Sequence, residues 1–280
     1  MPWVTTPHVD RFLDRAARFL AADVVGNNTL LTEALFWSRL PVRPGGARFG
    51  WWETDDVVSA AFVLLPDHAV ICSPLHPSAA SELPGAVPGA PLVGVDAADV
   101  GAVTDAFATR GRTPRPGNRL TLLRLRQDAI RTRPQPEGRH RWADVDDLPL
   151  LRSWFAAFRA RHPEDHSDVA FVIDQPLDDH GLLVHEVDGA AVAMASRTPK
   201  VAGMVRMGLT FQPAEGTRYA DAAFDLACAE AARVAETVLV LSGSPQATER
   251  YRTLGFEPVR ERAVLQVDPA PPPLVPSGLV

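Results

Sequence analysis

The chain has 280 residues, 46% of them hydrophobic and 22% charged, with a formal net charge of −6. That length suits two domains of about 100–200 residues, each with enough apolar side chains for a core of its own. The acidic balance argues against nonspecific nucleic-acid binding. No stretch of about 18 apolar residues and no basic-then-apolar leader occurs, so a cytoplasmic protein with no membrane partner is expected. Cys72 and Cys228 stand alone, without metal-ligand spacing, and read as small buried residues in a reducing compartment. Lys200 is the only lysine among the 28 basic residues, a composition bias that makes the arginine count uninformative about phosphate sites.

In chain order, the first half predicts helices at 8–22 and 28–40 and strands at 49–53, 57–65 and 69–73. A helix at 78–83, a strand at 92–95, a helix at 97–110 and a strand at 119–126 complete it. Trp51 and Trp52 are adjacent and point to opposite faces, so one is expected in the core and the other at a cleft or interface. No basic residues flank them, which argues against base stacking. The polar, proline-bearing segment Arg131-Thr132-Arg133-Pro134-Gln135-Pro136-Glu137-Gly138 suits a linker over 129–138.

In the second half Asp144-Val145-Asp146-Asp147 caps a helix running through Leu151, Trp154, Phe155 and Phe158 at core-facing spacing. A polar loop and a short helix follow. Asp188-Gly189, between strands at 182–187 and 191–197, is a two-residue hairpin signal. A strand at 201–211, a helix at 218–235, a strand at 237–241, a helix at 245–254 and a strand at 256–267 close the half. The proline-rich tail at 269–280 is expected to be extended and loose. The halves repeat one order of elements at an offset of about 140 residues. Two copies of a mixed α/β (α+β) fold are expected, at 1–128 and 139–268.

Tyr251 lies four residues before Gly255, a glycine suited to the left-handed position that ends a helix. A phenol held there, beside a helix end and close to a sheet, can donate a proton to a ligand lying between the elements. The succession of strand, turn and helix at 201–235 presents backbone N–H groups at one spot, an arrangement that can hold a pyrophosphate. The cluster His162-Pro163-Glu164-Asp165-His166-Ser167-Asp168 matches no common zinc spacing and reads as a solvated loop, and no metal site is expected. His185 and Glu186 face opposite sides of a hairpin strand, with His185 better read as a buried, hydrogen-bonded residue than as a base.

Three segments resemble the GCN5-related N-acetyltransferase (GNAT) family, and the two-copy layout resembles its tandem members. They are Tyr251-Arg252-Thr253-Leu254-Gly255-Phe256-Glu257-Pro258, the strand Val201-Ala202-Gly203-Met204-Val205-Arg206-Met207-Gly208-Leu209-Thr210-Phe211 with Pro213 after it, and Tyr219-Ala220 opening the next helix. The resemblance covers about 139–267, whereas over 1–128 it rests on element order. It implies acetyl-CoA as cofactor, its pantetheine arm between splayed strands against the backbone of Leu209, Thr210 and Phe211. The pyrophosphate would meet the amides of Gly216, Thr217, Arg218, Tyr219 and Ala220. Tyr251 would be the acid that protonates the departing thiolate, and the acceptor a primary amine on a small molecule or a protein. The loop at 162–168 would border the acceptor pocket, where Glu164, Asp165 or Asp168 attracts a cationic amine and His166 relays a proton through water.

This sequence departs from the family's loop pattern. Glu215 stands where an arginine or glutamine is usual, and Arg218 replaces a glycine that allows close approach of phosphate. Ser244 and Thr248 stand where many relatives carry asparagines. In the first half Phe107 takes the tyrosine's place, and Ser73-Pro74-Leu75-His76-Pro77 takes that of the glycine-rich turn, so catalysis is expected in the second half alone. The rival reading is a noncatalytic ligand- or partner-binding protein with impaired coenzyme A binding. Self-association as a homodimer stays open.

Overall fold

The computed structural model describes residues 3–126, 128, 130, 133–163, 165 and 167–268. Ala129, Arg131 and Thr132 of the expected linker, Glu164 and His166 of the polar loop, and the tail at 269–280 lie outside the described residues. Strand β1 (Val4–Thr6) leads into helices α1 (Val9–Ala22) and α2 (Asn28–Arg39). Strands β2 (Arg48–Thr54), β3 (Val57–Leu64) and β4 (Val70–Cys72) follow, then α3 (Pro77–Ala86), β5 (Leu92–Asp96), α4 (Val100–Ala108) and β6 (Pro114–Leu125). The order then recurs as β7 (Arg139–Trp142), α5 (Leu148–Arg161), α6 (Gln175–Asp178), β8 (Leu182–Val187), β9 (Ala190–Arg197) and β10 (Met204–Phe211). Helix α7 (Arg218–Val234), β11 (Thr237–Ser242), α8 (Pro245–Thr253) and β12 (Phe256–Val267) end it. The mixed α/β order of elements expected from the sequence is therefore present, with β1 and β7 as added strands too short to be revealed by a hydrophobic pattern.

Local chemistry explains the boundaries. Asp188 and Gly189 adopt φ of 51° and 80°, the two left-handed positions of a type I′ hairpin turn. Asp144 and Asp147 form a reciprocal capping box ahead of α5. The strand expected from residue 201 begins instead at Met204. Ala202 and Gly203 take φ of 47° and 77°, and Val201 and Met204 exchange two backbone hydrogen bonds of 2.9 Å across that tight turn. Gly255, at φ 96°, ends α8 as its position predicts.

The chain forms two compact units. One comprises residues up to Leu30, Val42–Arg119 and residues from Arg262 onward; the other comprises Leu31–Pro41 and Leu120–Glu261. Their edges fall inside α2, β6 and β12 rather than at a single linker. In the first unit β4 runs parallel to β5, and the end of β12 pairs antiparallel with β5 from Arg262↔Asp96 to Gln266↔Leu92. Its core gathers Trp3, Trp52, Phe62, Leu83 and Phe107. Trp51 is buried as well, its indole N–H donating to Glu53 at 2.8 Å.

In the second unit the strand order is β6, β11, β10, β9, β8, β7. The β10–β11 pair is parallel, and β6–β11, β9–β10, β8–β9 and β7–β8 are antiparallel. Alternation along β8 and β9 divides two cores. Leu183 and Ala195 pack with Phe224 of α7 and with Ala223, Ala227 and Ala231, small residues that let the helix lie close to the strands. Leu182, Val184 and Met194 pack on the other face with Leu151, Trp154 and Phe155 of α5. No helix among the described residues is long and apolar enough to cross a membrane.

Candidate active site

The register of β10 with β11 runs from Met204↔Thr237 to Arg206↔Leu239 and ends there. On its other side β10 bulges against β9 between Met207 and Thr210. Gly208 sits in that bulge, where a β-carbon would meet the Ser196 hydroxyl. Parallel strands that stop pairing midway leave a wedge with backbone polar groups along one edge. A cavity of about 420 Å3 adjoins it, lined by Met207, Leu209 and Thr210 from β10, Val240 and Leu241 from β11, and Arg250 and Tyr251 from α8. Arg206 of β10 lines it as well, with Phe155 and Phe158 from α5 and Asp165 and Ser167 from the loop after it.

Tyr251 is held by its ring, 5.4 Å from that of Phe224 and 5.9 Å from that of Phe256. Burial pushes its phenol above the ordinary value, with the neighbouring Arg250 acting in the other direction. Among the described residues, nothing hydrogen-bonds its hydroxyl. Arg206 is buried, its guanidinium 5.7 Å from the Phe171 ring centre and 3.7 Å from the Glu33 carboxylate. Asp165 accepts from the backbone N–H of Ser167 at 2.8 Å, and Asp168 likewise caps Ala170 at 2.7 Å.

The residues singled out from the sequence divide into two groups. Leu209, Thr210 and Tyr251 line one cavity. Phe211 does not; it packs beneath, 6.4 Å from both Trp154 and Phe158 and 5.2 Å from the Arg161 guanidinium. Gly216, Thr217, Arg218, Tyr219 and Ala220 do not line it either. The carboxamide oxygen of Gln212 accepts from the backbone N–H groups of Tyr219 at 3.0 Å and Ala220 at 3.2 Å, while its NH2 donates to the Glu215 carbonyl at 3.1 Å. Gln212 is buried, and its amide closes the start of α7 as a capping side chain would.

The surroundings of that helix start are ion-paired. Tyr219 donates its hydroxyl to Glu137 at 2.6 Å, and Arg218 pairs with the same carboxylate. The Tyr219 bond, a backbone hydrogen bond and the Arg218 guanidinium hold Glu137 at about 2, well below the usual carboxylate range. Arg250 pairs with Asp221, and Arg133 with Asp221 and Asp225. His185 is buried, donates through Nε2 to the Glu137 carbonyl at 2.9 Å and stacks on Tyr219, in keeping with a structural histidine. Glu186, facing the other way, pairs with Arg139 and Arg141.

Sequence reasoning missed Gln212, Arg206 and Arg250, and assigned Phe155 and Phe158 to the core alone. The pattern at Phe155 and Phe158 marks a buried helix face and cannot mark a cavity wall. For Gln212 the only signal was a side chain long enough to reach the next helix start. In the first unit Phe107 is fully buried, with the Arg112 guanidinium 5.0 Å from its ring centre. The start of α3 is capped there by His76, whose Nδ1 accepts from Ala79 N–H at 3.3 Å.

No sequence-family profile and no curated protein matches the chain. Solved structures do. A Drosophila protein from structural genomics is similar over 94% of this chain and 96% of its own, at 15% identity and a TM-score of 0.60. A GCN5-related N-acetyltransferase from Sphaerobacter thermophilus is similar over 96% of each chain, at 16% identity and a TM-score of 0.58. A tandem GNAT protein from the clavulanic acid biosynthesis pathway is similar over 96% of this chain and 99% of its own, at 13% identity and a TM-score of 0.54. Taken with the splayed β10–β11 pair, these likenesses of fold identify the chain as one with the GCN5-related N-acetyltransferase architecture.

Proposed function

We propose that the second repeat is an N-acetyltransferase that moves an acetyl group from acetyl-CoA to a primary amine of a small molecule or protein. The observation that carries this reading is the convergence of Tyr251, the end of β10 at Leu209 and Thr210 where it no longer pairs with β11, and an acceptor-sized cavity on one wedge of the sheet. Leu209 and Thr210 would hold the pantetheine arm through their backbone, and the bound thioester would supply an activated acetyl carbon. The amine nitrogen forms the new C–N bond as the C–S bond breaks. Tyr251 would give its proton to the departing sulfur, the surplus proton on the amine nitrogen would leave to water, and solvent would reprotonate the phenol. Positioning in the wedge and acid assistance supply the rate. Asp165, on the cavity wall, supports a cationic acceptor. We infer a cytoplasmic protein built from two copies of one fold, the first a structural or substrate-shaping copy because Phe107 has no proton to give.

A second reading is favoured by Gln212, which fills two amides that a pyrophosphate would take. It is a noncatalytic ligand- or partner-binding protein with impaired coenzyme A binding. Calorimetric titration separates the two: the enzyme reading requires heat or a thermal shift with acetyl-CoA at millimolar concentration. Silence in both measurements would leave the binding-protein reading.

A further inference from the structure

We propose that the second repeat recognises its acyl donor by the pantetheine arm of the thioester and not by the pyrophosphate, so that a pantetheine thioester lacking the nucleotide is taken as well as acetyl-CoA. This rests on the acetyltransferase reading and specifies its donor. Two neighbouring backbone N–H groups at a helix start are the usual seat of a phosphate oxygen. Here both are filled by one neutral oxygen of Gln212, 8% exposed and tethered at its nitrogen to the Glu215 carbonyl.

Charge gives a second, independent argument. Three guanidiniums lie around this helix start, and each is paired with a carboxylate of the chain itself: Arg218 with Glu137, Arg250 with Asp221, and Arg133 with Asp225. Three cations balanced by three anions leave no net positive charge for a diphosphate, and bringing one in would require breaking those pairs. The arm's site is different. β10 beyond Arg206 has left its ladder with β11, and the cavity beside Leu209 and Thr210 is open. Energy for donor binding is thus available along the arm and withheld at the nucleotide end.

The test is calorimetric titration of the full chain with acetyl-CoA and with S-acetylpantetheine, each at low and high salt. Dissociation constants within about threefold of each other, with little salt dependence, are expected. Gln212→Ala should then raise acetyl-CoA affinity by about threefold or more while leaving S-acetylpantetheine unchanged, since only the former carries a phosphate for the freed amides. An unchanged acetyl-CoA affinity in a folded Gln212→Ala protein overturns the proposal. If that variant does not fold, the wild-type comparison decides alone. Acetyl-CoA binding about tenfold or more tighter than S-acetylpantetheine, and weakened by salt, overturns this proposal and leaves the acetyltransferase reading standing. Silence with both thioesters overturns both.

Discussion

Arg133 holds the buried carboxylate of Asp225 in a two-point grip, its Nε donating at 2.9 Å and its Nη2 at 2.6 Å, while its backbone N–H adds a third bond at 3.1 Å. The Asp225 side chain is fully shielded from solvent, whereas that of Arg133 is 34% exposed. The asymmetry sets the order of two substitutions. Arg133→Ala strands a buried carboxylate and should destabilise by about 3–5 kcal/mol. Asp225→Asn should cost less, because Arg133 keeps Asp221 at 3.2 Å and can reach water. Urea denaturation midpoints check this, and the reverse order would refute the argument.

Tyr251→Phe keeps the ring contacts with Phe224 and Phe256 and removes only the hydroxyl. Turnover should fall by about 10²-fold or more, with thioester affinity unchanged. The phenol is needed in its protonated form, and burial raises its pKa. Its contribution is therefore complete below the ordinary phenol value of about 10 and is lost as pH rises through the higher folded value. A pH profile of kcat should show no loss assignable to Tyr251 in the neutral range. Unchanged turnover in the variant removes the residue from the mechanism.

How far the sequence reveals this site depends on the range of the interactions involved. The Asp188-Gly189 turn, the Asp144 capping box and Gly255 after α8 are local devices and can be read residue by residue. Tyr251 is placed by such a device, so its position near the sheet follows from four residues of spacing. The three missed groups are placed by contacts between distant segments. Arg206 meets Glu33 across 173 positions of chain, and Arg250 meets Asp221 from another helix. The shift of the β10 start from 201 to 204 has a related cause, because apolar periodicity runs unbroken through a turn that only Gly203 marks. Gln212 is the instructive case: the departures at Glu215 and Arg218 signal an altered loop, but the residue that fills it lies upstream.

Asp165 offers a test of the acceptor's charge. Its carboxylate lies on the cavity wall and caps Ser167, and asparagine keeps a carbonyl oxygen for that cap. Asp165→Asn should raise KM for a cationic amine by about three- to tenfold, with kcat and thioester affinity little changed. An equal KM in the two proteins would exclude Asp165 from amine recognition.

Glu137 carries a pH prediction whose sign is fixed by its partners. The hydroxyl of Tyr219 is the largest influence, followed by a backbone hydrogen bond and by Arg218, and together they lower the carboxyl to about 2 from an ordinary 4.5. A group depressed on folding contributes stability that is fully present above the unfolded value and is lost as pH falls toward the folded one. The window therefore runs from about 4.5 down to about 2. Glu137→Gln should be less stable than wild type at pH 6, and the gap should narrow as the pH is lowered through that window. Tyr219→Phe should move the carboxyl back toward 4.5, which a carbon-13 titration of the Glu137 side chain reads directly. A gap that stays constant between pH 5 and pH 3 would mean that the carboxylate's charge does not hold this segment on α7.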